Sequence, residues 1–162
     1  PTFLSPNEVD QIISHTKTFR NRLMIELAYS AGLRVSELVK IKVEHLKLDR
    51  LMLHVPELER NKRTTFFSKY LKDSLGRQIG AKNIGQYLFP SERGGALTTR
   101  AVAKFFKKSL IASGIKKLAT PHSLRQSFIN FRFNQGTDLD AIKNTLGQKI
   151  TFSTFSDSKK AA

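Results

Sequence analysis

Helix start and stop signals recur along most of this chain and restrict it to a mainly helical fold. Ser5-Pro6-Asn7-Glu8 combines a capping box with a proline in the first helical position, which predicts a helix that runs to about His15. Gly32 and Gly114 each follow apolar residues at helical spacing and predict helix ends. The other predicted helices span residues 20–31, 35–41, 68–79, 98–113, 121–134 and 138–146.

Only one pair of strand-like segments interrupts these helices. Residues 51–55 and 64–67 are rich in apolar and β-branched side chains, and a polar turn that contains Lys62 separates them. We therefore expect a mainly α fold with a small antiparallel β-sheet, an α+β arrangement. No change in composition divides the 162 residues, so one domain is predicted, with a mobile tail over 148–162 where periodicity is weak.

The charge of the chain favours nucleic acid as its partner. Lys and Arg total 28 against 13 Asp and Glu, which gives a net charge of +15. Such a surface attracts polyanions, and the basic residues are spread along the chain rather than gathered in a tail, as a membrane-surface or ribosomal-type protein could also show. The chain has no cysteine and no apolar run of roughly 18 residues, so we expect a cytoplasmic protein without thiolate metal sites or membrane spans.

Two short segments carry the residues suited to phosphate chemistry. Residues 31–38 read Ala-Gly-Leu-Arg-Val-Ser-Glu-Leu, with Arg34 directly after a predicted helix end. Residues 120–125 read Thr-Pro-His-Ser-Leu-Arg, and the spacing of His122 and Arg125 places both on one face of a helix. Two guanidiniums and an imidazole can grip one phosphate diester. Glu37 either braces Arg34 as an ion pair or is a plain surface charge.

The order and setting of these segments resemble the catalytic domain of the tyrosine recombinases, the phage, plasmid and Xer-type integrases. The resemblance extends from Leu4 to about Phe155 and implies the catalytic-domain fold of that family, without its separate N-terminal DNA-clamping domain. It implies metal-free phosphoryl transfer on double-stranded DNA without a cofactor, by a protein that is monomeric alone and tetrameric on DNA. Arg34, His122 and Arg125 then take catalytic roles at the scissile phosphate.

The resemblance implies three further catalytic positions, at which this chain departs from the residues or motif typical of the family. Lys62 falls on the hairpin where relatives carry a lysine that protonates the leaving oxygen, with Arg60 as the substitute. The same turn could instead be a basic hairpin in which Arg60 and Arg63 contact DNA phosphates. Gln148 stands where relatives have His or Trp, and Lys149 beside it is a predicted DNA contact; both could equally be surface residues after a helix end.

The family's nucleophile, a tyrosine near the C-terminus, has no counterpart in this chain. The tyrosines are Tyr29, Tyr70 and Tyr87. Counting from Gln148 leads to Asp157, and the nearest aromatic residues are Phe152 and Phe155, of which Phe155 follows the more typical Ser-Thr sequence.

Three explanations of the missing tyrosine stay open. A Tyr→Phe exchange at 155 is favoured; a naturally inactive chain or a tyrosine beyond position 162 are the others. The alternatives in function are a type IB topoisomerase-like nicking-closing enzyme and a non-catalytic DNA-binding accessory.

Overall fold

A computed structural model describes residues 2–56 and 63–136. Its helices are α1 (Pro6–Ser14), α2 (Phe19–Ala31), α3 (Val35–Leu38), α4 (Lys72–Ile79), α5 (Thr99–Ala112) and α6 (Pro121–Asn134). Its strands are β1 (Leu46–Lys47), β2 (Met52–His54) and β3 (Thr64–Phe66). The predicted mainly α fold with a small antiparallel sheet is confirmed. The predicted helix over 138–146 and the tail over 148–162 lie outside the described residues.

Helix α2 is the centre of the molecule. It packs against α1, α5, α6 and β3, so apolar side chains on most of its sides are buried. The buried residues of α2 are Leu23, Met24, Ile25, Leu27, Ala28 and Ala31. Because α2 is held on several sides, the residues at its C-terminal end are fixed relative to both the sheet and α6.

The ends of α1 and α2 form as their local sequence predicts. The Ser5 hydroxyl accepts a hydrogen bond from the Glu8 amide, and the Glu8 carboxylate accepts one from the Ser5 amide, which completes the capping box. Gly32 ends α2 in the left-handed region at φ 67°, where a side chain would be strained. The amides of Gly32 and Leu33 both donate to the Ala28 carbonyl, so the chain turns sharply after α2.

The sheet has the order β1-β2-β3, and both pairs of strands are antiparallel. Leu53 is its central buried residue, paired with Leu46 on one side and Thr65 on the other. The Thr65 hydroxyl donates to the Ala31 carbonyl at 3.0 Å and so ties β3 to the end of α2. The predicted strands over 51–55 and 64–67 are confirmed, with ends that differ by one residue. Strand β2 begins after Leu51, whose left-handed φ of 55° does not fit a strand.

Several elements differ from the sequence prediction. Strand β1 was not predicted, because two residues are too few to show alternation. The helix expected over 68–79 is divided into a 3-10 turn at Lys69–Leu71 and α4. The helix expected over 35–41 ends at Leu38, and the following residues pair with the loop before α5, where Leu88 donates to the Ile41 carbonyl at 2.8 Å.

Candidate active site

Arg34 follows the turn that ends α2. Leu33 is buried and anchors the turn, while Arg34 has extended backbone and an exposed side chain at the start of α3. The left-handed Gly32 makes this change of direction possible over two residues. The core therefore fixes the position of Arg34, while its side chain is accessible to solvent.

His122 and Arg125 lie on the first two turns of α6, as their spacing predicts. Pro121 begins the helix, and the Ser123 hydroxyl accepts a hydrogen bond from the Thr120 amide at 3.0 Å. His122 is exposed in the first turn, where backbone N–H groups favour an anion. Arg125 is fully buried, which the sequence did not indicate.

Arg125 joins the two segments directly. Its Nη1 donates to the Gly32 carbonyl oxygen at 2.9 Å, across 93 positions of sequence. The same Nη1 lies 3.5 Å from the Glu37 Oε1 atom. A buried guanidinium is tolerated because it has such partners. The turn that presents Arg34 and the helix that presents His122 are thus held against each other.

Glu37 is the acidic centre of this cluster. Its Oε1 accepts a hydrogen bond from the Arg34 backbone amide at 2.7 Å and forms an ion pair with Arg63 Nη2 at 2.5 Å. Its side chain is only 12% exposed, so Glu37 is not a plain surface charge. It braces Arg34 through the backbone and also holds two guanidiniums that come from other elements.

The pKa shifts show a site with an excess of positive charge. Burial and, to a smaller extent, the positive charges of Arg34 and Arg63 together lower the pKa of Arg125 to about 10, while the negative charge of Glu37 opposes them. Partial burial lowers the pKa of His122, and the charges of Arg125 and Arg34 add to that effect, although the ring keeps contact with solvent. Arg125 therefore stays charged at neutral pH, whereas His122 is mostly neutral and can accept a proton.

Arg63 occupies a different setting from the one expected of a residue on a basic turn. It lies directly before β3, its side chain is 6% exposed, and its guanidinium faces Glu37. Sequence reasoning missed this contact because 26 positions separate the partners and no local pattern connects them. The other predicted site residues, Arg60, Lys62, Gln148, Lys149, Phe152 and Phe155, lie outside the described residues.

The surroundings of the three tyrosines differ from those of an activated nucleophile. Burial raises the pKa of Tyr29 and Asp10 raises it further, which disfavours the phenolate. Tyr70 is 83% exposed and lies within the 3-10 turn before α4. Tyr87 lies under the Lys42 ammonium at 5.4 Å from its ring centre, in the segment bridged to Lys42.

Residues 2–56 and 63–136 contain no group of three or more His, Asp and Glu side chains that could hold a metal ion. None of the helices in these ranges combines the length and hydrophobicity that a membrane span needs.

Comparisons with known proteins show the family to which the chain belongs. A family model described as the phage integrase family matches residues 2–154. Tyrosine recombinase XerC of Anoxybacillus flavithermus is 31% identical over 168 residues, covering 95% of this chain and 56% of the relative. This chain therefore spans about half the length of the curated relatives it matches.

Solved structures show the same fold. The XerA recombinase superposes with a TM-score of 0.82 at 22% identity, over 99% of this chain and 65% of that one. The XerH site-specific recombinase, bound to its difH substrate in a pre-cleavage complex, superposes with a TM-score of 0.79 at 21% identity, over 95% of this chain and 49% of that one.

Proposed function

The chain belongs to the phage integrase family, and on that premise we propose that it is the catalytic domain of a site-specific DNA recombinase. The observation that carries the proposal is the junction of the two predicted segments, where the Arg125 guanidinium meets the turn that presents Arg34. His122 lies in the first turn of the same helix as Arg125. The charges of Arg34 and Arg125 act on His122, so these groups gather positive charge at one junction of the fold, which suits a phosphate.

In the proposed reaction a tyrosine hydroxyl attacks the scissile phosphate, forms a 3′-phosphotyrosyl bond and releases a 5′-hydroxyl. Arg34 and Arg125 neutralise the non-bridging oxygens on which negative charge develops. His122, neutral at pH 7 because its pKa is lowered, accepts the proton of the nucleophile or holds the phosphate. Lys62 protonates the leaving oxygen, and Gln148 donates a hydrogen bond to a non-bridging oxygen. Attack by the 5′-hydroxyl of another strand reverses the step.

The position of the nucleophile is assigned to Phe155. Phenylalanine has no oxygen that could attack phosphorus, so we propose that this version of the chain binds DNA without cleaving it. The partner is double-stranded DNA in the cytoplasm, and a tetramer forms on it. Support comes from the net charge of +15 and from the likeness to a recombinase solved on its DNA substrate.

Restoring the hydroxyl tests this function. We expect Phe155→Tyr to form a covalent protein–DNA adduct on a nicked duplex, seen as a denaturant-resistant band, whereas Phe152→Tyr serves as the matched control without an adduct. Adding Arg34→Ala to Phe155→Tyr should abolish the adduct, because one oxyanion partner is worth a factor of about 10² to 10³ in rate. An adduct that forms equally well without Arg34 contradicts the assignment of the site.

The absence of a tyrosine at 155 also favours a second function, a DNA-binding accessory that has lost catalysis. The same experiment separates the two. An accessory whose site has decayed binds duplex DNA but gives no adduct after Phe155→Tyr, whereas a masked enzyme gives one.

A further inference from the structure

Arg63 is a buried basic residue directly before β3, and its guanidinium faces Glu37. Its side chain is 6% exposed, and its Nη2 lies 2.5 Å from Glu37 Oε1. The Arg63 guanidinium donates a hydrogen bond to the Glu37 carboxylate, whereas Arg125 lies 3.5 Å from the same oxygen. The closer ion pair therefore indicates that Arg63 has a role inside the cluster.

The backbone of Arg63 belongs to the sheet while its side chain belongs to the arginine cluster. Its carbonyl accepts a hydrogen bond from the Val55 amide at 2.9 Å, which extends the pairing of β2 and β3 toward the turn between them. Its guanidinium reaches Glu37 on α3. Arg63 thus connects the sheet with the helix that begins at Arg34.

One oxygen atom of Glu37 serves three donors at different distances. Arg63 Nη2 lies at 2.5 Å, the Arg34 amide nitrogen at 2.7 Å and Arg125 Nη1 at 3.5 Å. Electrostatic attraction falls with distance and a hydrogen bond weakens steeply beyond about 3.2 Å, so Arg63 compensates more of the carboxylate charge than Arg125 does. As a result, Glu37 compensates less of the positive charge of Arg125 than it would without Arg63.

We infer that Arg63 is a positioning residue that holds Glu37 on the Arg34 backbone and away from Arg125, so that the charge of Arg125 remains for the phosphate. The inference deepens the proposed function and rests on it for the identity of the anion. Without Arg63, the carboxylate can close the gap to Arg125 and neutralise it. Arg63 then acts on DNA through Glu37.

A double-mutant cycle on DNA binding tests this route of action. We expect Arg63→Met, which keeps the volume of the side chain, to weaken binding to a fluorescent duplex about tenfold, the effect of one lost charge-assisted contact. In a Glu37→Gln background the same change should alter the Kd less than twofold, because the carboxylate through which Arg63 acts is absent. Arg63→Lys should restore most of the affinity, and Arg50→Ala, an exposed basic residue near the sheet, controls for the lost charge.

An equal loss of affinity in both backgrounds would show that Arg63 contacts DNA directly. No loss in either background would show that the ion pair of Arg63 and Glu37 is only structural. Either result overturns the inference. If Arg63→Met does not fold by circular dichroism, Arg63→Gln takes its place, with a smaller loss expected in the same direction.

A second measurement does not require DNA. When Glu37 neutralises Arg125, the positive field at His122 weakens. An NMR titration of Arg63→Met should therefore show a His122 pKa that rises toward 6.5. No such rise is expected in the Glu37→Gln background. If the unaltered chain fails to bind DNA, the proposed function fails and this titration still decides the inference, because an unchanged His122 pKa contradicts it.

Discussion

His122 and Arg125 share one face of α6 but differ in depth. The spacing of three predicts the shared face, and the structure confirms it, with His122 exposed and Arg125 at 0% exposure. The depth could not be predicted, because it depends on the Gly32 carbonyl and on Glu37, which lie far away in sequence. Side-chain type and spacing thus predict candidate site residues, whereas their partners emerge only from the packing of α2, α3 and α6.

The lowered pKa of His122 predicts that DNA binding takes up a proton. A bound phosphate offsets the charges of Arg34 and Arg125, so the pKa of His122 is higher in the complex than in the free protein. Between these two pKa values the complex holds more protons, and affinity therefore rises as the pH falls through that window.

Binding isotherms from pH 5 to 8 check this expectation for the chain and for His122→Gln. The pH dependence in this window should flatten in the variant, which cannot titrate. A variant that keeps the full pH dependence would contradict the assignment of the proton to His122.

The helices that were predicted well are those with a local signal at both ends. Helix α6 has Pro121 at its start, and the predicted bounds of 121–134 match those observed. Strand β1 has no such signal, because its two residues become a strand only by pairing with β2. The division of 68–79 into a 3-10 turn and α4 likewise occurs where both parts of the segment pack against α2.

The turn after α2 is sensitive to the addition of a single methyl group. Gly32 has a φ of 67°, so Gly32→Ala should lower the free energy of unfolding by about 1–2 kcal/mol and displace Arg34. Urea unfolding measures the loss. Gly85→Ala is the matched control, since no heavy atom lies within 4 Å of a Cβ placed there. Equal stability of the two variants would contradict the strain at Gly32.

The whole molecule is a strongly basic body whose site is only one part of its electrostatic surface. With a net charge of +15, binding to duplex DNA should lose roughly 100- to 1,000-fold in affinity between 50 and 200 mM salt, as expected for about four to five neutralised phosphates. Fluorescence anisotropy across a salt series gives the slope. Arg34→Ala should reduce that slope by about one, and a slope near zero in the unaltered chain would exclude phosphate contacts as the source of binding.

The bond from Arg125 to the Gly32 carbonyl also bears on how the protein folds. The partners lie 93 residues apart, so the cationic site is a long-range contact that exists only after α6 has closed against the end of α2. Such contacts form late, since the loop between them must first be ordered. The junction therefore forms together with the docking of α6 on the core, and a chain not yet synthesised as far as residue 125 lacks it.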